Sequence, residues 1–242
     1  MESKVSFPQF SFAFQPVINI STGSIYAYEA LARGCGNEPA NHVFRQVDKS
    51  NQYQFDEILR QKAISLAARL GIGCNLSLNL LPQTLLHSQT ALASSLAATE
   101  SVGIPPELLT IEVMESELID DICQFAKLIN QYRGTGINLA IDDFGSGYSG
   151  LNLLADFQPD SVKIDLSLIR SIDTRGPRQA IVRGIIRTCQ DLGIDIIAEG
   201  VETPEEYLWC FEEGIELFQG YYFAKPGFER LPVAFYPKQS TN

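Results

Sequence analysis

No apolar stretch of this chain is long enough to cross a bilayer, and no basic start leads into an apolar signal region. These absences predict a soluble, cytoplasmic protein with no membrane segment. Positive charge is scarce: 18 Lys and Arg stand against 29 Asp and Glu, a net charge of −11. Grooves for nucleic-acid polymers rest on cationic contacts to phosphates, so this balance argues against that class of partner. A smaller phosphate-bearing substrate fits only where bound cations reverse the local field. The cysteines, Cys35, Cys74, Cys123, Cys189 and Cys210, form no CxxC pair and are odd in number, which favours buried free thiols. Histidine is limited to His42 and His87, with no HExxH, so a zinc protease is not expected. Linker-like, repeated and low-complexity segments are absent too. Residues 1–242 therefore read as a single domain with its core at about residues 10–232, a length suited to an α/β barrel of about 250 residues.

What is present is a series of short apolar runs that stop at an acid, an amide or a lysine. They read Tyr26-Ala27-Tyr28-Glu29, Leu76-Ser77-Leu78-Asn79, Leu109-Thr110-Ile111-Glu112, Leu139-Ala140-Ile141-Asp142-Asp143, Ser161-Val162-Lys163, Ile196-Ile197-Ala198-Glu199 and Leu217-Phe218-Gln219. Helical sequence separates most of them, which argues for a parallel sheet wound through βα units. If the sheet closes, the strand C-termini share one face, where barrel enzymes keep their chemistry. The 45% hydrophobic share is enough for the core this needs.

Helices are expected over Phe55 to Leu70, ended by Gly71, over Pro82 to Thr99, and over Glu117 to Tyr132. A fourth runs through Ala180, Ile181, Ile185, Cys189 and Leu192 to Gly193, and a fifth starts at Pro204. Near the start, Phe10 to Phe14 is strand-like and a turn signal follows within Ile18 to Ile25. Two strands joined so tightly must run antiparallel, so the barrel should begin with one reversed strand.

The strand-end oxygens suit hard cations such as Mg²⁺ or Mn²⁺ better than zinc. Asp142-Asp143 is the sharpest local signal, because neighbours leaving a strand can reach different sides and serve two metals. The run Phe144-Gly145-Ser146-Gly147-Tyr148-Ser149-Gly150 reads either as a flexible loop or as a lid over substrate. Its glycine spacing is not that of a dinucleotide or P-loop fingerprint. Lys163 sits inside an apolar strand, and a buried ammonium needs an anionic partner. It can pair structurally with an acid, contact a phosphate oxygen or attacking water, or form a Schiff base. Arg33, four residues beyond Glu29, could fork onto a phosphate.

The motif Tyr28-Glu29-Ala30-Leu31-Ala32-Arg33 resembles the signature of the EAL-domain cyclic-di-GMP phosphodiesterases. The likeness extends through Phe14-Gln15-Pro16, Asn79-Leu80-Leu81-Pro82, Ile111-Glu112-Val113-Met114-Glu115, the Asp142-Asp143 loop, Val162-Lys163-Ile164-Asp165, Ala198-Glu199-Gly200 and Gln219 to Pro226. Met114, Ser146 and Gly150 depart from the common pattern, without removing a ligand. The resemblance implies a TIM-like (β/α)8 barrel with an antiparallel first strand. It also implies hydrolysis of cyclic-di-GMP to linear pGpG in bacterial signalling, with two Mg²⁺ or Mn²⁺ ions per active site. Carried over, Glu29, Asn79, Glu112 and Asp142 bind the first metal, and Asp143 helps bind the second. Glu199 is both a metal ligand and a catalytic neighbour of the attacking water, Lys163 touches that water or the phosphate, and Glu115 steadies the glycine loop. Gln15, Arg33, Asp160, Gln219 and Pro226 look like substrate-contacting positions. A homodimer through Tyr148 to Phe157, with Leu151, Leu153, Leu154 and Phe157, and a sensory partner domain are further expectations. Two rivals remain at this point: an EAL-type receptor or protein-binding regulator without turnover, and a Schiff-base or enolising barrel enzyme.

Overall fold

The computed structural model describes residues 7–88, 90–117, 122–147 and 150–237. In chain order the strands are β1 (Phe10–Asn19), β2 (Ser24–Gly34), β3 (Asn75–Asn79), β4 (Leu109–Met114), β5 (Asn138–Phe144), β6 (Ser161–Ile164), β7 (Asp195–Ala198), β8 (Leu217–Phe218) and β9 (Gly227–Phe228). The helices are α1 (Ala40–Phe44), α2 (Gln52–Arg69), α3 (Pro82–His87), α4 (Ala91–Val102), α5 (Ile122–Arg133), α6 (Gly150–Phe157), α7 (Leu166–Ile169), α8 (Gly176–Leu192) and α9 (Pro204–Glu212).

Strands β2 to β8 follow one another in parallel, and β1 closes the ring by pairing antiparallel with both β2 and β8. The two-residue β9 adds to β1. This is the expected TIM-like barrel with a reversed first strand. The turn that forces the reversal spans four residues, Ile20 to Gly23, with Gly23 at φ 64°. In β1 the chain runs away from the mouth: Phe10 lies opposite Gly34 at the C-terminal end of β2, and Asn19 lies opposite Ser24. Among the described residues, no helix is long and apolar enough to cross a membrane.

Strands of a barrel covered by helices are buried on both faces, so they read as apolar runs. In β4 every residue from Leu109 to Val113 is buried, the Glu112 carboxylate included. The outward faces meet α2, α5, α8 and α9 in one continuous core that includes Phe55, Ile64, Phe125, Ile186 and Tyr207. The capping box at α9, with Thr203 and Glu206 satisfying each other's backbone N–H groups, fixes that helix where Pro204 predicted it.

Two helix expectations need correction. Pro82 to Thr99 is not one helix: α3 stops at His87, Ser88 is extended, and α4 restarts at Ala91. Gln89 lies outside the described residues. The next helix does not begin at Glu117, because Glu115–Glu117 form a separate 3-10 turn and α5 starts at Ile122. From that turn the Glu115 carboxylate accepts backbone N–H groups of the loop after β5.

Candidate active site

A strand places alternate side chains on the same face, so the residues ending each run turn into the barrel together. Register then brings neighbours level: Gln15 lies opposite Glu29, and Asn79 opposite Glu112. The centre of the constellation is Lys163, which has no solvent exposure. Its Nζ lies 2.8 Å from Glu199, 3.0 Å from Glu112, 3.1 Å from Asp142 and 3.2 Å from Glu29. The anionic partner that a buried ammonium requires is thus a ring of four carboxylates carried by β2, β4, β5 and the residue after β7.

Those acids fall into two overlapping groups. Oxygens of Glu29, Glu112 and Asp142 lie within 4.8 Å of one another, as do oxygens of Asp142, Asp143 and Glu199. Asp142 belongs to both. Asp143 is aimed away from its neighbour by a left-handed backbone, φ 54°, and its N–H donates to Asp142 Oδ1 at 3.0 Å. Asn79 donates through Nδ2 to Glu29 Oε1 at 3.4 Å, and Gln219 through Nε2 to Glu29 Oε2 at 2.7 Å. The other amide atom of Gln219, Oε1, is buried without a hydrogen-bond partner among the described residues. Unpaired buried acceptors are uncommon in folded proteins and ask for a donor from solvent or ligand.

The electrostatics are those of a site with too much negative charge for its burial. Burial first, then Glu29 and Asp142, push the Glu112 carboxyl up to about 8 despite Lys163 beside it. Burial and Asp142 hold Glu199 well above its ordinary range, and burial, Asp142 and Asp165 raise Asp143 to about 6. Burial alone would lower Lys163, but Asp142, Glu112, Glu199 and Glu29 together raise it well above its ordinary value. An amine held charged in this way is a poor Schiff-base nucleophile, which weighs against the aldolase reading. The donor set, all oxygen and with one carboxylate common to both groups, fits two hard divalent cations.

Around this centre, Glu115 is buried, and its Oε2 accepts from Gly145 N at 2.8 Å and Gly147 N at 3.3 Å. Gly145 stands at φ 93°, and a Cβ there would collide with Leu168. Gln15 donates to the Ala224 carbonyl at 3.2 Å, which ties the half-buried segment leading to Pro226 across the mouth. Arg33 lies farther out on the Glu29 face of β2, half-buried.

Asp160 is not part of this assembly. It precedes β6, at the N-terminal end of the barrel, where Oδ2 accepts from Leu139 N at 2.8 Å and Oδ1 lies 3.9 Å from Arg133. Its carboxylate caps a strand start, opposite the face that carries the acids. Asp165, given no role from sequence, does reach the site: it is 8% exposed, raises the Asp143 carboxyl and caps α7 through Ser167 N at 2.9 Å. Its position two residues after Lys163 was the available signal. The proposed dimer segment is corrected in part, since Leu153, Leu154 and Phe157 are buried on the barrel. Tyr148 and the Leu151 side chain lie outside what is described.

The sequence model of the EAL domain family matches residues 3–226. The blue light- and temperature-regulated antirepressor BluF of Escherichia coli is 37% identical over 229 residues, covering 94% of this chain and 57% of BluF. The cyclic di-GMP phosphodiesterase RocR of Pseudomonas aeruginosa is 30% identical over 229 residues, covering 90% of this chain and 57% of RocR. This chain therefore spans little more than half the length of either relative. Among solved structures, the c-di-GMP-bound form of a standalone versatile EAL protein from Vibrio cholerae matches with a TM-score of 0.91 at 44% identity, covering 96% of this chain and 98% of that one. BlrP1 of Klebsiella pneumoniae, in a manganese and cyclic-diGMP complex, matches with a TM-score of 0.89 at 38% identity, covering 95% of this chain and 58% of that one.

Proposed function

Since the chain belongs to the EAL domain family, we propose that it hydrolyses one phosphodiester of cyclic-di-GMP to linear pGpG, using two Mg²⁺ or Mn²⁺ ions. The observation that carries this reading is the ring of Glu29, Glu112, Asp142 and Glu199 around the Lys163 ammonium, with Asp142 common to two carboxylate groups. Such a ring is costly to bury unless cations occupy it.

Glu29, Glu112 and Asp142, with Asn79 beside Glu29, would hold one cation, and Asp142, Asp143 and Glu199 would hold the other. The ions, when bound, supply the positive field for an anionic substrate and make water a stronger nucleophile near neutral pH. Lys163 donates from Nζ to the attacking water or to the reacting phosphate, where negative charge grows. Glu199, 2.8 Å from Lys163 Nζ, would be placed to take the proton that this water loses. Gln219 and Gln15 orient the substrate from β8 and β1, and Arg33 contacts a phosphate oxygen at the rim. Glu115 holds the backbone of the glycine loop so that Asp143 keeps its direction.

A second reading, a regulator that binds cyclic-di-GMP or a protein without turnover, is favoured by the likeness to an antirepressor. Loss of a metal ligand or of the lysine would mark that class, and here Glu29, Asn79, Glu112, Asp142, Asp143, Lys163 and Glu199 are all in place. Chromatography of cyclic-di-GMP incubated with the protein, with and without Mg²⁺, decides between them. The phosphodiesterase reading expects pGpG only with the cation. Unchanged nucleotide under both conditions overturns it.

A further inference from the structure

We propose that Asp56, on α2 outside the barrel, is a positioning residue that sets Asn79 for cation binding, with Arg60 as the counter-charge beside it; the inference rests on the metal-dependent reading above. Asp56 Oδ1 accepts the N–H of Leu81 at 3.3 Å, two residues beyond Asn79. Asp56 is itself gripped by Arg60 Nη1 in an ion pair one helical turn long. The remaining guanidinium nitrogens are also engaged: Nε donates to Ser95 Oγ at 3.1 Å and Nη2 to the Ala91 carbonyl at 3.3 Å. One pair thus joins α2, the start of α4 and the strand-to-helix junction that follows β3.

Leu80 packs into the core that α2 shares, but Leu81 is only half-buried on that side. A cavity of about 580 Å³ lies there, bordered by Asp56, Arg60, Asn79, Leu80 and Leu81 among mainly apolar neighbours. Beside such a cleft fewer atoms press on Leu81, so its backbone direction leans more on hydrogen bonds. On the barrel side the junction is tied by Leu80 N–H to the Glu112 carbonyl at 2.8 Å. Across the cavity the tie is the Asp56 carboxylate. Asn79 is exposed, and its own side-chain contact to Glu29 is long at 3.4 Å, so its direction depends on how the junction is held.

Stability alone does not account for the pair. Arg60 is 2% exposed, and a buried ion pair can usually be replaced by apolar residues of similar volume with little loss of stability. Such a swap removes the acceptor for Leu81 while keeping the fold filled, which separates the two roles.

The test compares Asp56→Leu/Arg60→Met with Asp56→Asn/Arg60→Met. Both lack the buried charges, but the second keeps an oxygen that can accept from Leu81. Mn²⁺ affinity by calorimetry should fall about tenfold or more in the first and stay within about threefold of the unaltered protein in the second, since supporting residues of metal ligands typically carry effects of that size. Thermal midpoints record that both variants fold. Hydrogen exchange at the Leu81 amide, measured without metal, should speed up in the first variant alone. Equal Mn²⁺ affinity in the two variants overturns the proposal, as does an equally protected Leu81 amide. An unaltered protein that binds no Mn²⁺ overturns the metal-dependent reading instead, while the amide exchange still decides whether the clasp holds the junction.

Discussion

Raising the pH from about 6 to about 8 should tighten Mn²⁺ binding by about two orders of magnitude. A cation coordinates a carboxylate, so any proton on that carboxylate must leave first. Burial, with Glu29 and Asp142 nearby, pushes Glu112 up to about 8, and so the metal-free site carries this proton through neutral pH. Each pH unit below that value adds about 1.4 kcal/mol to the work of removing it, a factor of about ten in affinity. Two units give about a hundredfold, and the curve flattens above about pH 8. Glu199 is also raised, by burial and then Asp142, and can only steepen the slope. Asp143, raised to about 6, adds to it only at the acidic end. Lys163 stays charged throughout and contributes no slope. The assay is calorimetric titration with Mn²⁺ in buffers of different ionisation enthalpy, which counts the protons released. About one proton or more should appear per site near pH 6.5, and Glu112→Gln should make the pH dependence shallower. A flat affinity across this window, with no proton released, would refute the claim that burial keeps the site protonated.

The same groups set the stability of the metal-free protein. The folded-state value of Glu112 lies above its ordinary 4.5, so its contribution is complete below that value and is lost as pH rises through about 8. The metal-free thermal midpoint should therefore fall between about pH 5 and 8, and added Mn²⁺ should restore it by binding the folded state. Replacing Lys163 with Met should lower kcat by about a hundredfold or more while KM changes much less, the pattern of an interaction made in the transition state. A variant with intact kcat and raised KM would make Lys163 a binding residue. Asp142→Ala should abolish turnover and Mn²⁺ binding together with an unchanged circular dichroism spectrum, because Asp142 belongs to both carboxylate groups. Gly145→Ala should cost about 1–3 kcal/mol in chemical denaturation, from its φ of 93° and the contact with Leu168.

The barrel is legible because its core strands read as apolar runs and most carry a functional group at or near their C-terminal half. Seven such groups, read with their intervening helices, mark one end of the barrel in the sequence itself. The reversed first strand was legible for a simpler reason: Ile20 to Gly23 is too short for a parallel crossover. What failed was local. The break between α3 and α4 falls at Ser88, where no glycine or proline marks it, and an apolar periodicity continues across it. Asp160, offered as a substrate contact by the family resemblance, lies just before β6 and accepts from Leu139 N instead. Asp56 and Arg60 left no trace as a site, since an i,i+4 pair on an amphipathic helix reads as a solvated face until the burial of Arg60 is known.

The reversed β1 also decides which side of the molecule an upstream polypeptide meets. In a barrel whose first strand is parallel to the rest, the chain enters at the floor, far from the strand C-termini. Here it enters beside Gly34, at the rim, and Gln15 lies five residues into the strand, level with Glu29. Any sensor fused ahead of Phe10 would therefore join the barrel on the side that carries the carboxylate ring. A rotation or pull on that segment would run straight down β1 to the residue opposite the first carboxylate. Fusion at this end would make a short mechanical path from such a domain to the carboxylate ring, with no need for a signal to cross the barrel.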